Sequence, residues 1–182
     1  MTRTFTTLAI LLALVLVVTF SLGWWAFALG RPENTDVFYW HFCFGLGSAI
    51  GLLLVHCLVF TYFLGTGRWV KEVTLAYRLP DEPWHKATRE LKRRVFPPAL
   101  YAMLIGVATS AAGAGAQLQA WPWWVHATLG VLTLVINLWA FRIEMSCMTE
   151  NSRVLDGILT EVDRVRKEMG LTTNAEALEA RG

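Results

Sequence analysis

Four long apolar runs constrain this 182-residue chain more than any other feature. A helix needs about 20 residues to cross the hydrocarbon core of a bilayer. Runs of at least that length lie at about 7–29, 37–64, 95–116 and 123–148, and the first contains no ionisable side chain. A strand of a membrane barrel would show alternation over about 10 residues. These runs are apolar all round, so helices are the reading. Composition agrees: 16% of residues are charged and 55% hydrophobic, whereas a soluble domain carries about 25% charged residues. The same figures exclude intrinsic disorder. Three cysteines exclude a disulfide scaffold, and a net charge of +2 gives no argument for nucleic acid. The expected fold is an all-α integral membrane protein: a four-transmembrane-helix bundle over 1–148, then a cytoplasmic helical tail over 149–182.

Near the N-terminus, Arg3, the run 8–20 and the Ala26-Phe27-Ala28 triplet imitate a secretory signal. The apolar stretch of about 23 residues exceeds the roughly 7–15 of such a segment, so it is read as a retained span. Orientation follows from the basic residues. The connector 66–94 carries Arg68, Lys71, Arg78, Lys86, Arg89, Lys92, Arg93 and Arg94, and the tail adds Arg153, Arg164, Arg166, Lys167 and Arg181. The loop after the first span offers only Arg31, beside Glu33 and Asp36, and the turn 117–122 offers none. Both termini and the connector are therefore expected in the cytoplasm, in an inner or plasma membrane. Trp24, Trp25, Tyr39, Trp40, Trp121, Trp123 and Trp124 then fall at the outer boundary, where an aromatic ring sits half in lipid and half among headgroups.

An ionisable side chain at membrane depth marks function by default. His41 and His126 each lie about one turn into spans that run from outside to inside, so both sit at one level. Their surroundings match: His41, Gly45 and Ser48 in one span repeat as His126, Gly130 and Thr133 in the other. At about 100° per residue, each histidine shares a helix face with its glycine and hydroxyl. Two such helices facing each other would hold two imidazoles across a slot for a flat ring system. Haem b fits best, with one imidazole as each axial ligand. A closed zinc site wants four N or S ligands, and Cys43 alone lies near, on another face. The alternative is that the imidazoles hydrogen-bond across helices and hold the bundle.

His56 follows His41 by fifteen residues, about 22 Å deeper at 1.5 Å per residue. With fourteen residues between its two histidines, this helix is similar to the paired-histidine helices of di-haem membrane b-type cytochromes. That resemblance implies an inner haem at His56. The equivalent position on the fourth helix is Phe141, which leaves Met103 on the third as the candidate second ligand. A quinone site or a hydrogen bond to a neighbouring carbonyl are the other roles open to His56. Arg142 and Glu144 are placed at the inner end of the fourth span, and His85 in the solvated connector. Cys43, Cys57 and Cys147 show no ligand spacing and are read as small buried residues.

Gly47 and Gly51, with the Ala- and Gly-rich 108–116, suit close helix packing. The matched His-Gly-Ser/Thr pattern further suggests two duplicated helical hairpins. In the connector, residues 68–77 suit a helix lying in the interface, and Pro80 and Pro83 split the remainder. In the tail, Leu155, Ile158, Val162, Val165 and Met169 form an apolar stripe expected to dock on a partner subunit or on the connector. Residues after Gly170 are expected to fray. No Walker A loop, dinucleotide fingerprint or hydrolase motif occurs. The functional expectation is a b-type haem-binding electron-transfer subunit working with other membrane or peripheral redox subunits, exchanging electrons with a quinone. The rival is a cofactor-free accessory subunit of a larger membrane complex. A transporter is disfavoured because the spans lack broken or charged midplane helices.

Overall fold

The computed structural model describes residues 2–30, 35–174 and 176. Four helices follow one another: α1 (Thr2–Ala28), α2 (Asp36–Ala76), α3 (Trp84–Gln117) and α4 (Trp123–Glu168). All four are long and apolar enough to cross a membrane. The expected loop cations and anions Arg31 and Glu33, and the tail residue Arg181, lie outside the described residues.

Local chemistry sets the helix ends. Thr35 Oγ1 accepts the Phe38 N–H at 3.4 Å, an N-cap for α2, and Asp36 sits in that first turn, where the helix dipole favours an anion. Gly30 and Gly170, at φ 80° and 71°, take the left-handed conformation that closes α1 and α4. Three helices run well beyond the apolar windows. The connector is therefore mostly helix: α2 continues through 68–76 in place of a separate interfacial helix, and only 77–83 separate it from α3. The tail likewise forms no separate amphipathic helix, because α4 is unbroken to Glu168.

Two compact units divide the chain, Met1–Phe60 with Val95–Met145, and Thr61–Arg94 with Ser146–Gly182. In the first, neighbouring helices approach through small residues. A Cβ at Gly51 of α2 would lie 3.3 Å from Leu12 of α1, and one at Gly106 of α3 would lie 2.9 Å from Leu52 of α2. Phe60 meets Phe96 between α2 and α3 at 4.5 Å, and Phe27 meets Trp123 between α1 and α4 at the same separation. Leu11, Leu14, Ile50, Leu54, Leu104 and Val135 are among the many large apolar side chains left more than half exposed. Such an outward surface suits lipid contact and not water.

The second unit has its own core. Val70 of α2 packs with Ile158 and Val162 of α4, flanked by Val73, Tyr77, Leu79, Trp84, Val154 and Leu155. Gly157 admits the Trp84 ring, which a Cβ there would meet at 2.8 Å. Arg166 donates to the Tyr77 hydroxyl at 2.9 Å. Among the described residues past Gly170, Thr173, Asn174 and Glu176 are held rather than frayed, and 175 and 177–182 lie outside the described residues. The Thr173 N–H donates to Glu176 Oε2 at 2.7 Å and Thr173 Oγ1 accepts the Glu176 N–H at 3.2 Å, a reciprocal capping box. The Asn174 N–H reaches Asp163 at 2.8 Å.

Ile158 is fully buried, whereas its neighbour Leu159 is 40% exposed. Truncating a buried Ile to Ala removes apolar contacts and leaves a cavity, so Ile158→Ala should lower unfolding free energy by about 2–5 kcal/mol. Leu159→Ala should stay within about 0.5 kcal/mol of the parent. Denaturant titration in detergent, followed by tryptophan fluorescence, checks both.

Candidate functional site

His41 and His126 face each other between α2 and α4, with ring centroids 6.0 Å apart and planes inclined at 71°. Each leans on the other helix of its own hairpin. His41 Nδ1 lies 3.0 Å from the Thr19 carbonyl oxygen of α1. His126 Nδ1 lies 3.0 Å from the Thr109 carbonyl oxygen of α3. A carbonyl only accepts, so Nδ1 carries the proton in both rings, and a neutral imidazole then keeps its lone pair on Nε2. An imidazole that donates Nδ1–H to a carbonyl is fixed in the tautomer and orientation suited to ligation through Nε2.

The ring position depends on two glycines that pattern reading of the histidine helices did not single out. A Cβ on Gly23 would lie 2.7 Å from His41 Cε1, and one on Gly113 would lie 3.0 Å from His126 Cε1. Each sits four residues after the threonine whose carbonyl takes the bond, so Thr19 and Gly23 of α1 repeat as Thr109 and Gly113 of α3. That shared Thr-x-x-x-Gly spacing was the available signal. Gly45 and Gly130 play a different part: a Cβ there would meet Thr19 and Phe20 of α1 at ordinary distances of 3.9 and 3.8 Å.

One turn along, hydroxyls join each hairpin. Thr19 Oγ1 donates to the Val15 carbonyl at 2.8 Å, which leaves Ser48 to donate to Thr19 Oγ1 at 2.9 Å. Thr109 Oγ1 donates to the Ile105 carbonyl at 2.8 Å and meets Thr133 Oγ1 at 2.6 Å. Ser48 and Thr133 are the hydroxyls expected seven residues after the histidines.

Deeper, the likeness of the two hairpins ends. His56 of α2 faces Phe141 of α4, with ring centroids 5.4 Å apart and planes 16° from parallel. His56 Nδ1 is 2.7 Å from Glu144 Oε1, and Nε2 is 3.0 Å from Asn137 Oδ1. The amide of Asn137 is oriented by its own donation from Nδ2 to the Thr133 carbonyl at 2.8 Å, which turns Oδ1 toward His56 as an acceptor. Both nitrogens of His56 are thus engaged and Phe141 stacks on its face, so this geometry offers no lone pair to an inner iron. Met103, on α3, is half-buried. Glu144, expected at the inner end of the fourth span, has a side chain that is 0% exposed. Sequence position placed it near the span's end, but the partner that draws it inward is on another helix. Cys147 is buried as expected, Cys43 is half-buried and Cys57 exposed. His85 binds Asp81 at 2.9 Å within the connector.

Among the described residues no group of three or more His, Cys, Asp or Glu gathers as a metal site. The chain matches no family model, no curated protein and no solved structure.

Removing one member of a buried ionic pair strands the other, at about 3–5 kcal/mol. His56→Ala and Glu144→Ala should each lower stability by that amount, while the double variant loses about as much as either single one. A double-mutant cycle by chemical denaturation checks the coupling, and additive losses would show that the two side chains do not act as a pair.

Proposed function

We propose that the chain is a membrane-embedded electron-transfer subunit that binds one haem b between His41 and His126. The observation that carries this reading is the pair of imidazoles 6.0 Å apart whose Nδ1 protons are both committed to helical carbonyls. His41 and His126, each with an unprotonated Nε2, would supply the two imidazole nitrogens that hold a haem iron. Two nitrogens are too few for a bare zinc ion, which takes four ligands. They suffice for a metal that brings its own macrocycle. When bound, haem supplies one-electron chemistry, and the protein tunes it through axial ligands, hydrogen bonds to their outer nitrogens and burial.

The chain's own residues would do the positioning. The Thr19 and Thr109 carbonyls hold the rings, Gly23 and Gly113 make room for them, and Ser48 and Thr133 hold the hairpins together one turn away. Gly45 and Gly130 keep the histidine-bearing faces low. The correspondence of Thr19, Gly23, His41, Gly45 and Ser48 with Thr109, Gly113, His126, Gly130 and Thr133 supports a duplicated hairpin, each copy contributing one ligand. Membrane placement rests on the four apolar helices. The cations of the connector and tail argue for both termini in the cytoplasm, in an inner or plasma membrane. The seven outer Trp and Tyr side chains, each at least 40% exposed, then lie at headgroup level. The subunit would exchange electrons with partner subunits or a membrane quinone. The engaged nitrogens of His56 argue for one haem rather than two. A cofactor-free accessory subunit is the second reading, favoured by the fact that each imidazole already has a hydrogen bond that ties a hairpin together.

Protein purified with haem available should show a Soret band and a dithionite-induced alpha band, with one haem per chain by pyridine haemochrome assay. His41→Ala and His126→Ala should each abolish the bis-imidazole spectrum, and Gly23→Leu should reduce haem content by displacing the His41 ring. A colourless protein supports the accessory reading and overturns this one.

A further inference from the structure

Among the described residues, His56 and Glu144 are the only fully buried members of the acidic and basic side chains. The haem site does not use them. Of the other ionisable groups described in the same unit, Arg3, Asp36, Tyr39, Cys57, Tyr101 and Arg142 are exposed, and Cys43 is half-buried like His41 and His126. Residues 95–117 of α3 carry no charge at all.

The hydrogen bonds fix the proton inventory. Asn137 Oδ1 accepts, so His56 Nε2 carries a proton. One further proton lies along the 2.7 Å line between Nδ1 and Glu144 Oε1. Whether it rests on nitrogen or oxygen, the pair is neutral. Glu144 Oε2 is buried and has no hydrogen-bond partner, so one acceptor atom remains where a second proton can bind. At the offset that relates His41 to His126, Leu52 and Val59 of α2 match Asn137 and Glu144 of α4, and both are buried apolar residues.

The pair also connects to the candidate haem site through residues of α3 and α4. The Thr109 carbonyl accepts the His126 Nδ1–H, Thr109 Oγ1 meets Thr133 Oγ1, and the Thr133 carbonyl accepts from the Asn137 amide that binds His56. An added electron in an apolar interior creates charge that little water screens. A neutral group elsewhere in the same unit that gains a proton offsets it.

We infer that His56 and Glu144 form a redox-linked proton-binding site, which takes up one proton from water when the cofactor held by His41 and His126 gains one electron. The inference rests on the haem reading above. A one-electron reductant, either a partner redox subunit or a quinol, supplies the electron to the iron. The proton comes from the aqueous phase, and a new O–H bond forms at Glu144 Oε2, leaving an imidazolium beside a neutral carboxylic acid. The added positive charge equals the added electron, so the membrane interior gains no net charge. On reoxidation the O–H bond breaks and the proton leaves.

Potentiometric titration of the haem-loaded full chain at a series of pH values tests this. The midpoint potential should fall as pH rises in the parent, and become independent of pH in Glu144→Gln, which keeps the side chain's shape and removes its titration. In the unaltered protein, dithionite-free photoreduction in weak buffer with an indicator dye should consume up to one proton per haem, a measurement that requires no variant to fold. A loaded parent whose midpoint ignores pH, or a slope that persists in Glu144→Gln, overturns the inference and leaves the haem reading intact. A chain that binds no haem removes both, and its missing Soret band reports this before any titration.

Discussion

Polar groups on helices this apolar must find their partners inside the protein, and that constraint organises the whole first unit. The helices satisfy their own backbones. Their hydroxyls turn inward to carbonyls one turn back, as Thr6, Thr19, Thr109 and Ser110 do. Each outer histidine has one donor to place, and it finds a carbonyl on the neighbouring helix of its hairpin. A ring can reach a helical carbonyl only if no side chain stands over it, which is why glycine occupies 23 and 113. The same bond that satisfies Nδ1 leaves Nε2 open and aimed by the packing. One hydrogen bond, made twice, thus fixes both ring positions and leaves both Nε2 atoms unprotonated.

The inner level answers the same constraint differently. There the matching positions of the two hairpins carry different residues: Leu52 against Asn137, His56 against Phe141 and Val59 against Glu144. One hairpin contributes an imidazole, and the other contributes the amide, the carboxylate and the stacking ring. A symmetric pair of histidines would leave two nitrogens unpaired at this depth unless a metal filled the gap. The asymmetric set closes on itself, except for one carboxylate oxygen. An oxygen left bare in a packed interior is unusual enough to need a reason, and a proton that comes and goes is a chemical reason.

Much of this was legible in the residues. The spans were plain from their length, and His41 with His126 stood out because their glycine and hydroxyl neighbours recur at the same offsets. What the pattern missed was carried by the other two helices. Gly23 looks like any small residue in an apolar run until the helix opposite brings an imidazole to it. Glu144 reads as a residue at the cytoplasmic end because a single helix gives depth and no partner. The extension of α2 and α4 past the apolar windows was hidden for a related reason: polar helix positions there are stabilised by Val70, Ile158 and Val162 meeting from segments far apart in sequence. Periodicity within one segment predicts a face, and only the fold says what covers it.

The central claim is that the Nε2 atoms of His41 and His126 are the two axial ligands of one haem. Electron paramagnetic resonance of the oxidised, haem-loaded protein addresses it directly, because the signal depends on both ligand identity and the angle between the imidazole planes. Planes inclined at 71° predict the strongly anisotropic low-spin ferric signal of crossed imidazoles. A high-spin ferric signal, with one axial position open or water-filled, would contradict it.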